Sequence, residues 1–265
     1  MSEAFPDLSP QIPRDLVPLP RAASLLLWAG AYLRGDVGPD DAVSIAHGAG
    51  HRRRGAEGED LFDWMTQLRR LPLAQARLVL PQPGRIAGLI GPPAAITRAV
   101  MAEQAIVVTA AGLGEHTLIP EVEELGADGT RGVEVTWSRI PGTAAQVAPP
   151  ANSSGAREEL LRALRRAADG STHLDLVPEE PIPQAALPAG WTAAGLPRHV
   201  PGPARHLLTL AARTLLLTRT ELAAESAAPS LSGASRREQI LRELADASRE
   251  ALVDQVTAVV DAEMP

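Results

Sequence analysis

The amino-acid sequence predicts an α+β fold: helices near the N-terminus, a small mixed or antiparallel sheet, and a helical hairpin at the C-terminus. Three observations carry this. Apolar residues recur every three or four positions over residues 21–71 and again after residue 204, which is the helical period. Between them the pattern shortens to alternation, most clearly where Val133, Val135 and Trp137 interleave with Glu134, Thr136 and Ser138. Prolines and glycines then gather in 1–20, 141–154 and 178–203, where regular structure is not expected.

Residues 1–20 carry Pro6, Pro10, Pro13, Pro18 and Pro20 and read as an extended, mobile lead-in. An α+β domain spans 21–140. Its first helix covers 21–34, with Gly35 at the position after the last turn that favours a left-handed backbone. A second helix starts at Pro39, whose fixed φ suits a first turn, and Asp40 and Asp41 complement its positive end. It stops near Gly48. A third helix covers 59–71, with Leu61, Trp64, Met65 and Leu68 as its apolar stripe and Pro72 after it.

The sheet is built from the next stretch. Residues 77–80 read as a short strand, 94–103 as a helix and 105–109 as an apolar strand. Residues 117–123 read as a strand that Pro120 places at a sheet edge, because proline has no N–H to give a neighbour. Residues 133–138 complete the set.

Residues 141–177 are a linker plus a helix over 155–169, with Leu160, Leu161, Leu164 and Ala168 on one face and a short strand expected over 173–177. A proline-rich connector follows over 178–203. In the final segment, 204–265, residues 204–226 are apolar nearly all round and predict a buried helix. Ser235 with Glu238 has the spacing of a capping box and opens a long helix. Leu241, Leu244, Ser248, Leu252, Val256 and Val259 lie on its buried stripe. The two helices, joined through 227–233, form a hairpin packed on the domain.

Composition excludes several chemistries. Cysteine is absent, so disulfides, iron–sulfur clusters, Cys-ligated zinc and thiol catalysis are absent with it. Every basic residue is arginine. A Schiff-base lysine and the phosphate-binding lysine of a P-loop or kinase are therefore missing. The net charge of −7 and an aromatic content of 3% make nucleic acid an improbable partner, since phosphate contacts need a basic face and base stacking needs rings. The apolar run over 22–33 is shorter than the roughly twenty residues that span a bilayer. The segment before it lacks the positive charge of a secretory signal. A cytoplasmic protein with no membrane association, no cofactor and no metal is the expectation.

Three places hold candidate binding residues. The loop 81–91 joins a strand to a helix, where free backbone N–H groups cradle anions. Gly84 and Gly88 supply flexibility and Arg85 a bidentate donor. Its glycine spacing matches no dinucleotide or P-loop fingerprint, and Pro92 and Pro93 remove donors from the helix start. The turn at 112–116 places Glu115 beside His116 as a possible acid–base pair, but a strand follows where a dinucleotide loop needs a helix. A hairpin turn fits better. The stretch from His47 to Arg54 has two histidines four apart, with Gly48 and Gly50 breaking the helix a metal would need. There Arg52, Arg53 and Arg54 could hold a phosphate or an acidic partner, and a mobile charged loop is the plainer reading. The pairs Arg198-His199 and Arg205-His206 could form a basic rim.

Residues 21–41 (RAASLLLWAGAYLRGDVGPDD), Leu80-Pro81-Gln82-Pro83-Gly84 and Leu118-Ile119-Pro120-Glu121-Val122 resemble an uncharacterised protein family of high-GC Gram-positive bacteria. That resemblance implies no activity, so it assigns no residue a role. The expected function is that of a non-catalytic intracellular regulatory or protein-interaction protein. It would bind a partner, or a second copy, through the C-terminal helices or the groove between them and the sheet. The alternative is an enzyme or sensor that binds a small anionic metabolite through Arg85 and nearby loops.

Overall fold

A chain with so few rings must bury its aliphatic side chains in layers, and helices on a sheet achieve that. The computed structural model describes residues 15–48, 51–53, 60–70, 73–86, 88–110, 114–125, 132–142, 153–173, 187–223 and 231–262. Strand β1 (Val17–Pro20) runs into helix α1 (Arg21–Arg34), followed by α2 (Pro39–His47), β2 (His51–Arg53) and α3 (Leu61–Arg70). Then come β3 (Leu73–Val79), α4 (Pro93–Ala102), β4 (Ala105–Ala110), β5 (Gly114–Leu125) and β6 (Gly132–Pro141). Helix α5 (Ser153–His173), β7 (Trp191–Ala194), α6 (Gly202–Ala223) and α7 (Leu231–Asp261) complete the order. The α+β class and the paired C-terminal helices are as the sequence predicts.

Helix α1 shows how local signals decide an element. Its end is fixed by Gly35 at φ 86°, a left-handed conformation that places the Gly35 N–H on Tyr32 O at 2.9 Å. Helix α3 buries the stripe read from its spacing: Leu61, Trp64, Met65 and Leu68 are all inside.

The main sheet has five strands in the order β2-β6-β5-β4-β3, antiparallel except for β2, which runs parallel to β6. One face carries Ala76, Leu78, Ile106, Val108, Leu118, Val135 and Trp137 into the larger core, shared with α1, α3, α6 and α7. The other packs Val79, Ala105, Val107 and Ile119 against Leu89, Ile90 and Ala99 of α4. No described strand pairs with the outer edge of β3.

Several expectations need correction. The strand holding Pro120 is central, between β4 and β6. Proline is tolerated because pairing with β4 ends at Ile106↔Leu118, so only β6 accompanies the chain at Pro120↔Trp137. Residues 17–20 of the lead-in are extended but fixed, pairing antiparallel with β7 inside the stretch expected to be irregular. Pro18 and Pro20 lie two apart, so their missing N–H groups fall on one side of a two-stranded ribbon and leave Val17 and Leu19 to donate on the other. Residues 1–14 lie outside the described residues.

Helix α5 runs to His173, where a strand had been expected to begin; 174–177 lie outside the described residues. Its buried side centres on Leu160 and Ala163, whereas Ala168 is exposed. Helix α6 is not buried all round, for Arg213 and Leu217 reach solvent. The Ser235–Glu238 box does not open α7. The helix already runs from Leu231, and Glu238 instead pairs with Arg242 at 2.6 Å one turn on. A capping box needs a non-helical first residue, and the turn before Ser235 is helical.

Candidate functional site

The loop between β3 and α4 begins with a tight turn. Gln82 and Arg85 exchange backbone hydrogen bonds (Gln82 N to Arg85 O 3.0 Å, Arg85 N to Gln82 O 2.9 Å), with Pro83 and Gly84 at the apex. Gly84 has φ 80°, the left-handed third position of a proline-led type II turn. The turn aims Arg85 at α7, where its guanidinium pairs with Asp246 and with Glu250, both at 2.8 Å. Arg85 thus pairs with two carboxylates while its side chain stays about half exposed. Gly88 offers its carbonyl to Arg77 Nη2 at 3.0 Å. Pro92 and Pro93 occupy the start of α4, so that terminus is short of donors as the sequence indicates.

Glu115 and His116 are successive residues of β5 and point to opposite faces, so they form no pair. His116 is buried, 1% exposed. Its Nε2 accepts a hydrogen bond from Trp64 Nε1–H at 3.0 Å, which places the proton on Nδ1, 3.3 Å from Gly114 O. Burial, and then the Arg139 charge, lower its pKa to about 4. It is a neutral histidine joining α3 to the sheet, and it lines neither of the two clefts described below. The hairpin reading of this region stands, with β4 and β5 paired out to Ala110↔Gly114.

His51, Arg52 and Arg53 form β2, in register with Glu134, Val135 and Thr136, where a mobile loop was expected. Arg54 lies outside the described residues. His47 is buried, and its carbonyl accepts from Arg21 Nη1. Of the two Arg-His pairs, Arg198 and His206 are exposed, while the other two residues are engaged. His199 Nδ1 meets Asp36 at 3.0 Å, and Arg205 donates to Pro197 O at 2.8 Å. Among the described residues no cluster of three metal-ligating side chains occurs, and no helix is long and apolar enough to cross a membrane.

Two clefts remain. The smaller, about 520 Å³, lies between α4, β5, α6 and residues 188–191. Most of its polar groups are engaged within the fold, although Glu121 Oε1 has no hydrogen-bond partner among the described residues. Arg219 pairs with Glu103 and Arg98 faces Glu121 at 3.6 Å. Gln104 bridges Ala22 N at 2.9 Å and Gly190 O at 2.7 Å.

The larger cleft, about 640 Å³, lies between β3, the turn at 82–85, the start of α5 and the outer side of α7. Arg77, Leu78, Val79 and Leu80 all line it. Consecutive strand residues alternate between faces, so a run of them reaches one cleft only if that cleft follows the strand's edge. The groove therefore runs along the side of β3 with which no described strand pairs. The Arg85 pairs to Asp246 and Glu250 border it, with Arg249 held on Asp246 at 2.9 Å.

Deeper in the groove the bookkeeping fails to close. Asp254 and Thr257 of α7 are 7% and 5% exposed. Asp254 Oδ1 and Thr257 Oγ1 have no hydrogen-bond partner among the described residues. Desolvation alone raises the Asp254 carboxyl above its usual range, and Asp261 further along is raised for the same reason. Several other helix-borne hydroxyls behave differently, although Ser24 Oγ in α1 also has no partner among the described residues. Ser248 donates to Leu244 O at 2.7 Å, Thr209 to Arg205 O at 2.8 Å and Thr218 to Thr214 O at 3.0 Å. Thr257 makes no such bond.

Sequence reading missed Asp254 and Thr257. A signal was present: a carboxylate and a hydroxyl three apart in the stretch from Leu252 to Val260, whose other residues apart from Gln255 are apolar.

Two family models match the chain. The Rv1486c-like protein N-terminal domain matches residues 22–153 and the Rv1486c-like protein C-terminal domain matches 154–253. No curated protein and no solved structure matches it.

Proposed function

For a chain that belongs to the Rv1486c-like protein family, we propose a non-catalytic protein-interaction role in which the groove between α7 and the outer edge of β3 receives an extended segment of a partner protein. The observation that carries this is the run of the cleft along a strand edge with which no described strand pairs. Such an edge presents a row of main-chain donors and acceptors, and an added strand satisfies them while its alternate side chains enter flanking pockets. The seven residues of β3 give room for several such pairs.

The state of the candidate catalytic groups supports a binding role over a chemical one. His116 is uncharged and enclosed, and Arg85 is paired. An anionic metabolite is the weaker reading, because the groove's unpaired side chain at depth is a carboxylate.

The test is selection of displayed random dodecapeptides on the immobilised full chain. Hydrogen exchange is then measured with and without an enriched peptide. Slower exchange of the amides in 75–80 is the expected result. Enrichment of nothing, or protection confined to other elements, contradicts the proposal.

A further inference from the structure

We infer that the groove contains a subsite for one basic side chain, in which Asp254 and Thr257 receive the ammonium or guanidinium of a Lys or Arg on the bound segment. This rests on the reading of the groove as a peptide site and names what that peptide must carry. Residues three apart on a helix share a face, so the carboxylate and the hydroxyl can converge on one donor group. Both line the groove and both are more than nine-tenths buried. Asp254 Oδ1 and Thr257 Oγ1 lack a partner among the described residues.

The protein's own cations near the groove are otherwise engaged. Arg85 sits on Asp246 and Glu250, Arg249 on Asp246, and Arg77 on the Gly88 carbonyl. Desolvation is what shifts the Asp254 carboxyl, with no neighbouring cation contributing. A buried carboxylate left in this state is costly, and an incoming ammonium with three donors relieves both Asp254 and Thr257. The aliphatic stem of Lys or Arg would lie along Val253 and Ala156, which also line the groove. A neutral or acidic side chain offers no such relief, so the subsite selects as well as binds.

The test uses the peptides enriched on the full chain. Their sequences are compared for a fixed basic position. Affinities are then measured by fluorescence polarisation for wild type, Asp254→Asn and Thr257→Val, and for a peptide whose basic residue is replaced by norleucine. A fixed Lys or Arg is expected. Loss of the charge on either side should weaken binding about 10- to 100-fold, as for a hydrogen bond to a charged group. The two losses should not add, because they remove the same contact. The norleucine exchange leaves the protein untouched, so a folding defect in a variant cannot imitate the result. Peptides that protect 75–80 yet show no basic preference, or bind Asp254→Asn as tightly as wild type, overturn the subsite and leave the groove. Failure to enrich any peptide overturns both.

Discussion

Arg21 and Asp254 are both charged residues with almost no exposed surface, 2% and 7% respectively, yet their surroundings differ completely. Arg21 starts α1 and distributes its donors. Nε binds Ala189 O at 3.0 Å, Nη1 binds His47 O, and its backbone N–H binds Gly190 O at 3.1 Å. It ties α1, the end of α2 and the segment before β7 together. Asp254 ties nothing together, and its Oδ1 ends in a groove without a described partner. Burying a charge is tolerated when hydrogen bonds replace water, and is a liability otherwise. The first arrangement is that of a structural joint, the second that of a site awaiting its complement.

Substitutions can break this contrast, and the largest effect belongs to the joint. Arg21→Met should destabilise by about 3 kcal/mol, because it strands the Ala189 and His47 carbonyls in the interior. Denaturant unfolding measures it. A cost below about 1 kcal/mol would mean that Arg21 is not a joint.

His116 belongs on the satisfied side and should show it in pH. Its folded pKa of about 4 lies below the ordinary 6.5, so the unfolded chain takes up a proton first. The stability it supports is fully present above pH 6.5 and is lost as pH falls toward 4, a change worth about 3 kcal/mol. Stability measured across that window for wild type and His116→Gln should show the slope in wild type only.

Asp254→Asn should act in the opposite direction to Arg21→Met. Removing the unpaired charge should raise stability at neutral pH by about 1 kcal/mol. Since burial raises the Asp254 pKa, wild type should gain stability from this group as pH falls and lose it as pH rises past the ordinary carboxylate range. The smallest effect is expected from Arg85→Ala. Its ion pairs are about half exposed, so the cost should stay within about 1 kcal/mol. Inorganic phosphate should shift the melting of wild type and of this variant equally.

The same contrast explains what could be read in the sequence. Helices α1 and α2 are bracketed by Pro or Gly and were legible within a residue or two, since the stop signals are local, and α4 was legible as closely from its opening prolines although it ends at Glu103. The β1–β7 ribbon was not. It joins Val17 to Ala194 through a strand with two prolines and one of Trp-Thr-Ala-Ala, neither of which alternates in hydrophobicity. Pro120 misled because local chemistry cannot say where the neighbouring strand ends. The role of Arg85 depended on Asp246 and Glu250, far along the chain on α7, so its residue type suggested an anion site that tertiary structure fills from within. Asp254 carried a readable signal, a carboxylate in a largely apolar stretch of α7. That it lacked a partner became visible only once β3 and α7 were placed together.

The difference between joint and site reduces to one comparison: the unfolding free energy at pH 7 of wild type against Asp254→Asn in the full chain. A buried carboxylate left without a complement should make the variant the more stable protein. A variant destabilised to the degree of Arg21→Met would mean that Asp254 is already held by its own chain, and the groove would lose its claim to an outside ligand.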